Sequence, residues 1–142
     1  MKLTANFTLQ EFIDPNTYSK YGDSSIWFID PRIVSIAQFI RERLGKPCTI
    51  NNWLNGGQYS YSGFRPPECT IGAKLSQHRF GRGIDIKVKG MTADEVRQDI
   101  ISNFDIYKKV GLTTIEDGAY APTWCHIDIR DTKSDKLKIV KP

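Results

Sequence analysis

The chain has only two histidines, His78 and His126, and each lies in a short segment suited to metal binding. In the first segment, Asp85 follows His78 at the head of a short apolar run. In the second, the period-two alternation of a strand places Trp124, His126 and Asp128 on one face. Two imidazoles, one carboxylate and an open fourth position meet the requirements of a catalytic zinc site. A fold that uses them together must bring these two distant segments side by side, as a sheet can.

Length and composition indicate one folded domain over residues 1–142, large enough to form its own core. The hydrophobic fraction of 39% and the charged fraction of 25% are typical of a globular protein and argue against disorder. No apolar run approaches the roughly 20 residues that cross a bilayer. The polar segment 1–14 lacks the apolar middle of a secretory signal, so we expect synthesis in the cytoplasm without a signal peptide.

A net charge of +4 favours an anionic partner, such as a cell-wall polymer or a nucleic acid. The chain lacks the interleaved basic and aromatic residues of a nucleic-acid platform, so we expect no nucleic-acid partner. We take the chain to be a monomer. The three cysteines, Cys48, Cys69 and Cys125, are odd in number and have no metal-ligand or redox spacing, which predicts reduced thiols. Strand alternation turns Cys125 away from the face of His126.

Helix signals occur at three places along the chain. A capping box at 8–11 predicts a short helix after it, and Asp30-Pro31 predicts a longer helix that ends at Gly45. A second capping box at 92–95 predicts a third helix. The buried faces expected for the last two helices consist of Ile33, Ala37, Ile40 and Leu44, and of Val96, Ile100 and Ile101.

Strand signals occupy 48–54, 84–88, 110–116 and 123–129. The last two segments are joined by a connection that begins with Asp117-Gly118, which predicts an antiparallel hairpin. Helices early in the chain and strands late predict an α+β fold, with a small, mainly antiparallel sheet backed by helices.

Three motifs together resemble the zinc D-alanyl-D-alanine carboxypeptidase family, which includes phage endolysins that cut L-alanyl-D-glutamate bonds. They are Ser62-Gly63-Phe64-Arg65-Pro66-Pro67, then Ser76-x-His78-x-x-Gly81-x-Gly83-x-Asp85, and Trp124-x-His126. The zinc fold of that family is also similar to the Hedgehog signalling domain. The stretch from Phe7 to Phe12 resembles the N-terminus of a compact branch of the family, so the likeness covers most of the chain. It implies a single zinc peptidase-like domain.

The resemblance implies that His78, Asp85 and His126 bind zinc, in agreement with the chemistry of the residues. The family usually has alanine where this chain has Gly83. Gly81 and Gly83 are also small enough for the backbone to pass close to a metal-bound imidazole.

Two substrate contacts are implied by the same motifs. Arg65 would hold a carboxylate or a polarised carbonyl through paired hydrogen bonds. Ser76, just before His78, would bind the polar backbone of a peptide. Structural alternatives remain for both, since Arg65 can brace a loop and Ser76 can form a turn.

The expected general base lies at a different position from that in better-known members of the family. Better-known members often place a glutamate a few residues before the last histidine, whereas this chain has Ala-Pro-Thr-Trp-Cys at 121–125. Glu116, on the first strand of the predicted hairpin, is the expected base. Asp128 is the alternative catalytic carboxylate, because alternation places it on the face of His126. Asp128 can instead orient the imidazole or pair with Arg65 or Arg130.

The metal-binding residues and the candidate base predict metal-assisted hydrolysis of an amide bond. The resemblance implies that the substrate is a peptidoglycan stem peptide, cut by a zinc carboxypeptidase or endolysin. The expected partner is a peptidoglycan peptide, and the expected site of action is the bacterial cell wall, during phage or prophage lysis or from a virion. The alternative is a zinc-stabilised module that binds the cell wall or a protein without efficient hydrolysis.

Overall fold

The computed structural model describes residues 1–142. The chain forms four α-helices and five strands, together with four short 3-10 turns. The helices are α1 (Pro15–Tyr21), α2 (Pro31–Leu44), α3 (Ala93–Ser102) and α4 (Phe104–Lys109). The strands are β1 (Cys48–Thr49), β2 (Gly83–Val88), β3 (Thr114–Glu116), β4 (Cys125–Asp128) and β5 (Lys138–Val140). The 3-10 turns are Leu9–Glu11, Gly22–Phe28, Trp53–Asn55 and Gln77–Phe80.

The helix boundaries follow the capping signals in the sequence. The Asp30 carboxylate accepts the amide of Arg32 at 3.0 Å at the start of α2, and Gly45 ends that helix in the left-handed region at φ 62°. At α3 the Thr92 hydroxyl accepts the amide of Glu95, and the Glu95 carboxylate accepts the amide of Thr92. Both predicted helices are therefore confirmed.

The buried face of α3 differs from the prediction at one position. Val96 and Ile100 are buried, but Ile101 is 40% exposed, and Arg97 takes the third buried place. Its guanidinium reaches the backbone of the β3–β4 connection. Polar backbone groups there explain why a charged side chain is buried on this helix.

The five strands form one sheet in the order β1-β2-β4-β3-β5, and every pairing is antiparallel except that of β3 with β5. Asp85 on β2 pairs with His126 on β4. Thr114 on β3 pairs with Asp128 on β4, and Ile115 pairs with Ile127. If the same register is extended by one more residue, Glu116 lies opposite His126. Glu116 in turn pairs with Val140 on β5. Four strands thus contribute one row of side chains to the same face.

The strand predicted at 84–88 is confirmed as β2, whereas the other three predicted strands are shorter than expected. The segment predicted as a strand at 48–54 pairs only over Cys48–Thr49, because the amides of Asn55 and Gly57 turn back to the carbonyl of Asn52. The predicted hairpin of β3 and β4 is confirmed, with paired segments confined to Thr114–Glu116 and Cys125–Asp128. The sequence does not predict β5, because a short segment rich in lysine is more typical of a solvent-exposed surface.

The helices and the sheet enclose one apolar core. Ile33, Ile36 and Ile40 of α2 pack there together with Ile84 and Ile86 of β2. The fold is therefore α+β, with a mostly antiparallel sheet backed by helices, as the sequence predicts. No helix combines the length and the apolar character needed to span a membrane. All three cysteines are free thiols, and Cys125 is fully buried.

Candidate metal centre

Three buried side chains from the predicted metal site converge at the middle of the sheet. His78 Nε2 lies 3.2 Å from Asp85 Oδ1 and 3.1 Å from His126 Nδ1, and the last two atoms are 2.9 Å apart. Donor atoms about 2.0–2.1 Å from one tetrahedral ion lie about 3.3 Å from each other. The three atoms therefore approximate one triangular face of a tetrahedral coordination sphere, and the group could hold a metal ion.

Hydrogen bonds at the outer ring nitrogens set which imidazole atoms face the centre. His78 Nδ1 is 2.8 Å from the carbonyl oxygen of Gly63, and His126 Nε2 is 2.9 Å from Asp128 Oδ2. Each outer nitrogen can donate its N–H to the oxygen that it meets. The lone pairs of His78 Nε2 and His126 Nδ1 are then left for a ligand, as in metal-binding histidines generally.

Local structure around His78 depends on a tight turn. The Ser76 hydroxyl accepts the amide of His78 at 3.4 Å at the start of the turn Gln77–Phe80, and Gly81 closes it at φ 65°. A Cβ at Gly81 would lie 1.9 Å from the carbonyl oxygen of Phe28, so this glycine is required by a backbone contact rather than by an imidazole. A Cβ at Gly83 would lie 3.2 Å from His126 Cε1, which matches the predicted close approach to a ligand.

Electrostatic interactions among these side chains favour a negative Asp85 beside a positive His126. Burial opposes charge on the Asp85 carboxyl, but His78 and His126 outweigh it and hold the pKa of Asp85 far below its usual range. Burial likewise opposes a charged His126, yet Asp128 and Asp85 raise the pKa of His126 to about 9. Burial is the main cause that lowers the pKa of His78. A metal ion would therefore displace a proton from His126.

Arg65 contacts both the metal centre and its own loop. Its Nη2 donates to Asp85 Oδ2 at 3.1 Å, and its Nε donates to the carbonyl of Tyr61 at 2.8 Å. The guanidinium thus fixes the carboxylate oxygen that does not face the histidines. Arg65 also lines the cavity over the metal centre, together with Ser76, so both predicted substrate contacts lie at the site.

The two predicted catalytic carboxylates have different surroundings. Asp128 is fully buried: Oδ2 meets His126 and Arg130 Nη2, and Oδ1 accepts the amide and Nε of Arg130. Neither oxygen is left for a substrate. Glu116 makes no side-chain hydrogen bond, lines the cavity, and has Oε1 3.9 Å from His126 Nδ1. Only Glu116 has a carboxylate open to the cavity.

The cavity over the metal centre has a volume of about 530 Å³. Trp124 forms part of its wall, whereas Tyr120 lies outside it and is 48% exposed. Val140 and Lys141 also line the cavity, and these residues carried no prediction. The pairing of β5 with β3 brings them there, and a charged segment of this length gives no strand signal in the sequence.

No protein-family model, curated protein or solved structure matches the chain. The fold and the site therefore define the class of protein to which it belongs. The chain is an α+β protein whose sheet carries a buried His-Asp-His cluster that could hold a metal ion, beneath an open cavity that Glu116 also lines.

Proposed function

We propose that the protein is a zinc-dependent hydrolase that cleaves amide bonds in peptidoglycan stem peptides. The observation that carries this proposal is the metal centre itself. His78, Asp85 and His126 offer three donor atoms at mutual distances of 2.9 to 3.2 Å, beside a cavity lined by Glu116, whose carboxylate makes no hydrogen bond within the protein. Three protein ligands with an open fourth position distinguish a catalytic zinc site from a structural one.

The ligand set suits zinc because imidazole nitrogens and a carboxylate are donors that this ion accepts readily in a tetrahedral site. When bound, zinc acidifies a water molecule and polarises the scissile carbonyl. Gly63 and Asp128 hold the two imidazoles in orientation, and Arg65 holds Asp85.

Glu116 is the general base in this mechanism. Its carboxylate takes a proton from the attacking water and passes it to the nitrogen of the leaving amine. The distance of 3.9 Å between Glu116 Oε1 and His126 Nδ1 leaves the carboxylate beside the ligands without binding to them. Hydrolysis then forms one C–O bond and breaks the C–N bond, with water as the only co-reactant.

Arg65 and Ser76 are placed to orient the peptide. Arg65 Nη1 has no partner within the protein and is free to donate to a substrate carbonyl or carboxylate. The Ser76 hydroxyl proton is likewise free, because its oxygen accepts the amide of His78. The stem peptide as substrate, and the bacterial cell wall as the place of action during phage or prophage lysis, are supported by the motif resemblance.

The test uses purified protein and peptidoglycan of several cross-link chemistries. Zinc-loaded protein should generate new amine and carboxyl ends, detected by mass spectrometry of the soluble products. A chelator should stop the release, and added zinc should restore it. Zinc-loaded protein that binds the wall and releases no new ends from any chemotype would contradict hydrolysis and favour the binding-module alternative.

A further inference from the structure

The loop of residues 66–75 connects two residues that line the cavity over the metal centre, Arg65 and Ser76. It contains no helix or strand, and most of its residues are exposed. Four residues of the loop also line the cavity, and none of them has a polar side chain: Ile71, Gly72, Ala73 and Leu75. The loop therefore supplies an apolar part of the wall to a cavity whose other lining residues are mostly polar.

One side chain, Arg79, connects this loop to the 3-10 turn that carries a metal ligand. Its guanidinium donates hydrogen bonds to four carbonyl groups of the loop, and all its side-chain hydrogen bonds go there. The carbonyls are those of Ala73, Cys69, Pro66 and Pro67, at 3.1, 2.7, 3.3 and 3.4 Å. The other hydrogen bonds of the loop join residues only three positions apart. The position of the loop therefore depends on Arg79.

Ile71 and Leu75 are apolar side chains that the protein leaves uncovered at the cavity. They are 50% and 78% exposed, and both line the cavity. Gly72 between them has φ 79°, and a Cβ there would lie 2.6 Å from Arg65 Nη1. The loop thus passes close to the guanidinium that holds Asp85. Exposed aliphatic surface at such a place is buried favourably when a ligand brings apolar surface of its own.

We propose that Ile71 and Leu75 bind an aliphatic group of the substrate, and that Arg79 is a positioning residue that holds their loop against the metal site. Arg79 acts through the loop, so it affects substrate affinity rather than zinc binding or the chemical step. This inference rests on the proposed hydrolase function and deepens it, because it names the residues that bind the apolar part of the substrate.

The first experiment measures the loop directly, without reference to activity. Arg79→Met is compared with a matched control, Arg82→Met, whose side chain is 51% exposed and contacts only Asp30 at 4.0 Å. Endoproteinase Lys-C cleaves after lysine, and Lys74 is exposed within the loop. Cleavage after Lys74, followed by mass spectrometry, should be about tenfold faster in Arg79→Met, because the released loop enters the protease more often. Both variants should retain zinc.

The second experiment measures substrate affinity of zinc-loaded protein with soluble muropeptides. Ile71→Ser is compared with Ile139→Ser, since Ile139 is 47% exposed but does not line the cavity. Ile71→Ser and Arg79→Met should each raise KM about tenfold with little change in kcat, and Ile139→Ser should change neither. Circular dichroism checks folding. Ile71→Ser keeps the hydrogen bonds of Arg79, so it tests the apolar contact even if Arg79→Met does not fold.

Equal Lys-C cleavage of Arg79→Met and Arg82→Met would overturn the role of Arg79, whether or not the protein is a hydrolase. Loss of zinc from Arg79→Met would also overturn it, because the effect would then lie in the turn of His78. Equal KM values for Ile71→Ser and Ile139→Ser would overturn the substrate contact and leave the hydrolase function intact. Failure of zinc-loaded wild type to cleave any wall chemotype would overturn the hydrolase function, and the substrate contact with it.

Discussion

Asp128 and Glu116 approach different ring nitrogens of the same histidine. Asp128 meets His126 Nε2 at 2.9 Å, and Glu116 lies 3.9 Å from the Nδ1 atom that faces the metal centre. A carboxylate at Nε2 fixes the orientation of the ring, whereas one on the cavity side can exchange protons with a substrate. In the proposed mechanism, this difference favours an orienting role for Asp128 and the base role for Glu116.

Substitution of the two carboxylates by amides should separate these roles. Glu116→Gln keeps the size of the side chain but removes the proton acceptor, so turnover should fall by about two to four orders of magnitude with zinc retained. Asp128→Asn should lower activity or zinc affinity by about 10- to 100-fold, because it loosens the orientation of His126. Turnover of purified wall and zinc content are measured on the same preparations. Loss of turnover in Asp128→Asn, with Glu116→Gln near wild type, would reverse the assignment.

The three side chains that could hold a metal ion are easier to predict from the sequence than the proposed base. His78 and Asp85 lie in one motif, and alternation alone places Asp128 on the face of His126. Alternation also carries Arg130 to that face, where it occupies both oxygens of Asp128. How many hydrogen bonds a carboxylate accepts depends on how the side chains pack, and this cannot be read from the order of residue types in the sequence.

At the scale of elements, the register of the β3–β4 hairpin determines which residue faces His126. Pairing of Thr114 with Asp128 sets Glu116 opposite His126. The sequence predicts the hairpin but not its register, because the connection over 117–124 is long and a shift of one residue would turn Glu116 to the other face. The position of Glu116 beside the metal centre is therefore a consequence of how this connection is held.

Arg97 of α3 holds that connection and provides a stability test. Its Nη1 donates to the carbonyls of Ala121 and Trp124 at 2.8 and 2.9 Å. Arg97→Met would leave these carbonyls without a donor, so the free energy of unfolding should fall by about 2–4 kcal/mol. The control is Arg32→Met, which removes an exposed ion pair with Asp30 and should cost less than about 1 kcal/mol.

Denaturant unfolding of both variants measures this difference. Equal midpoints for Arg97→Met and Arg32→Met would show that Arg97 does not stabilise the connection. The burial of an arginine on α3 was not predicted, since the sequence pattern favours Ile101 at the third buried place. The difference arises because the helix packs against unpaired carbonyls, which a hydrophobic side chain cannot satisfy.

At the scale of the whole molecule, the metal centre joins segments that are distant in the chain. His78 precedes β2 and His126 lies on β4, so the three donors meet only when the sheet has formed. A metal ion bound by such donors binds the folded state and not the unfolded chain, which makes its binding free energy a contribution to folding. The α+β class was predictable from the order of elements, but this coupling required the arrangement of the strands.

Zinc should therefore raise the thermal stability of chelator-treated protein, and more at pH 8 than at pH 6. At about a thousand times its Kd, zinc contributes about 4 kcal/mol, or roughly a 10 °C rise in Tm. The pH effect follows from His126, whose pKa is raised to about 9 by Asp128 and Asp85 against the effect of burial. Protons compete with zinc for this imidazole below pH 9, so apparent zinc affinity rises with pH.

In protein without zinc, protonation of His126 stabilises the fold, so stability falls as the pH rises. Because the pKa of His126 is higher in the fold than its ordinary value of 6.5, its charged form stabilises the fold fully below pH 6.5. That contribution is lost as the pH rises towards 9. The difference in Tm between zinc-loaded and zinc-free protein therefore increases. Differential scanning calorimetry at both pH values measures this difference, with His78→Ala and Asp85→Ala as controls that should show none. If zinc raised the Tm equally at pH 6 and pH 8, or raised the Tm of both variants as much as that of the wild type, zinc binding through these three side chains would be contradicted.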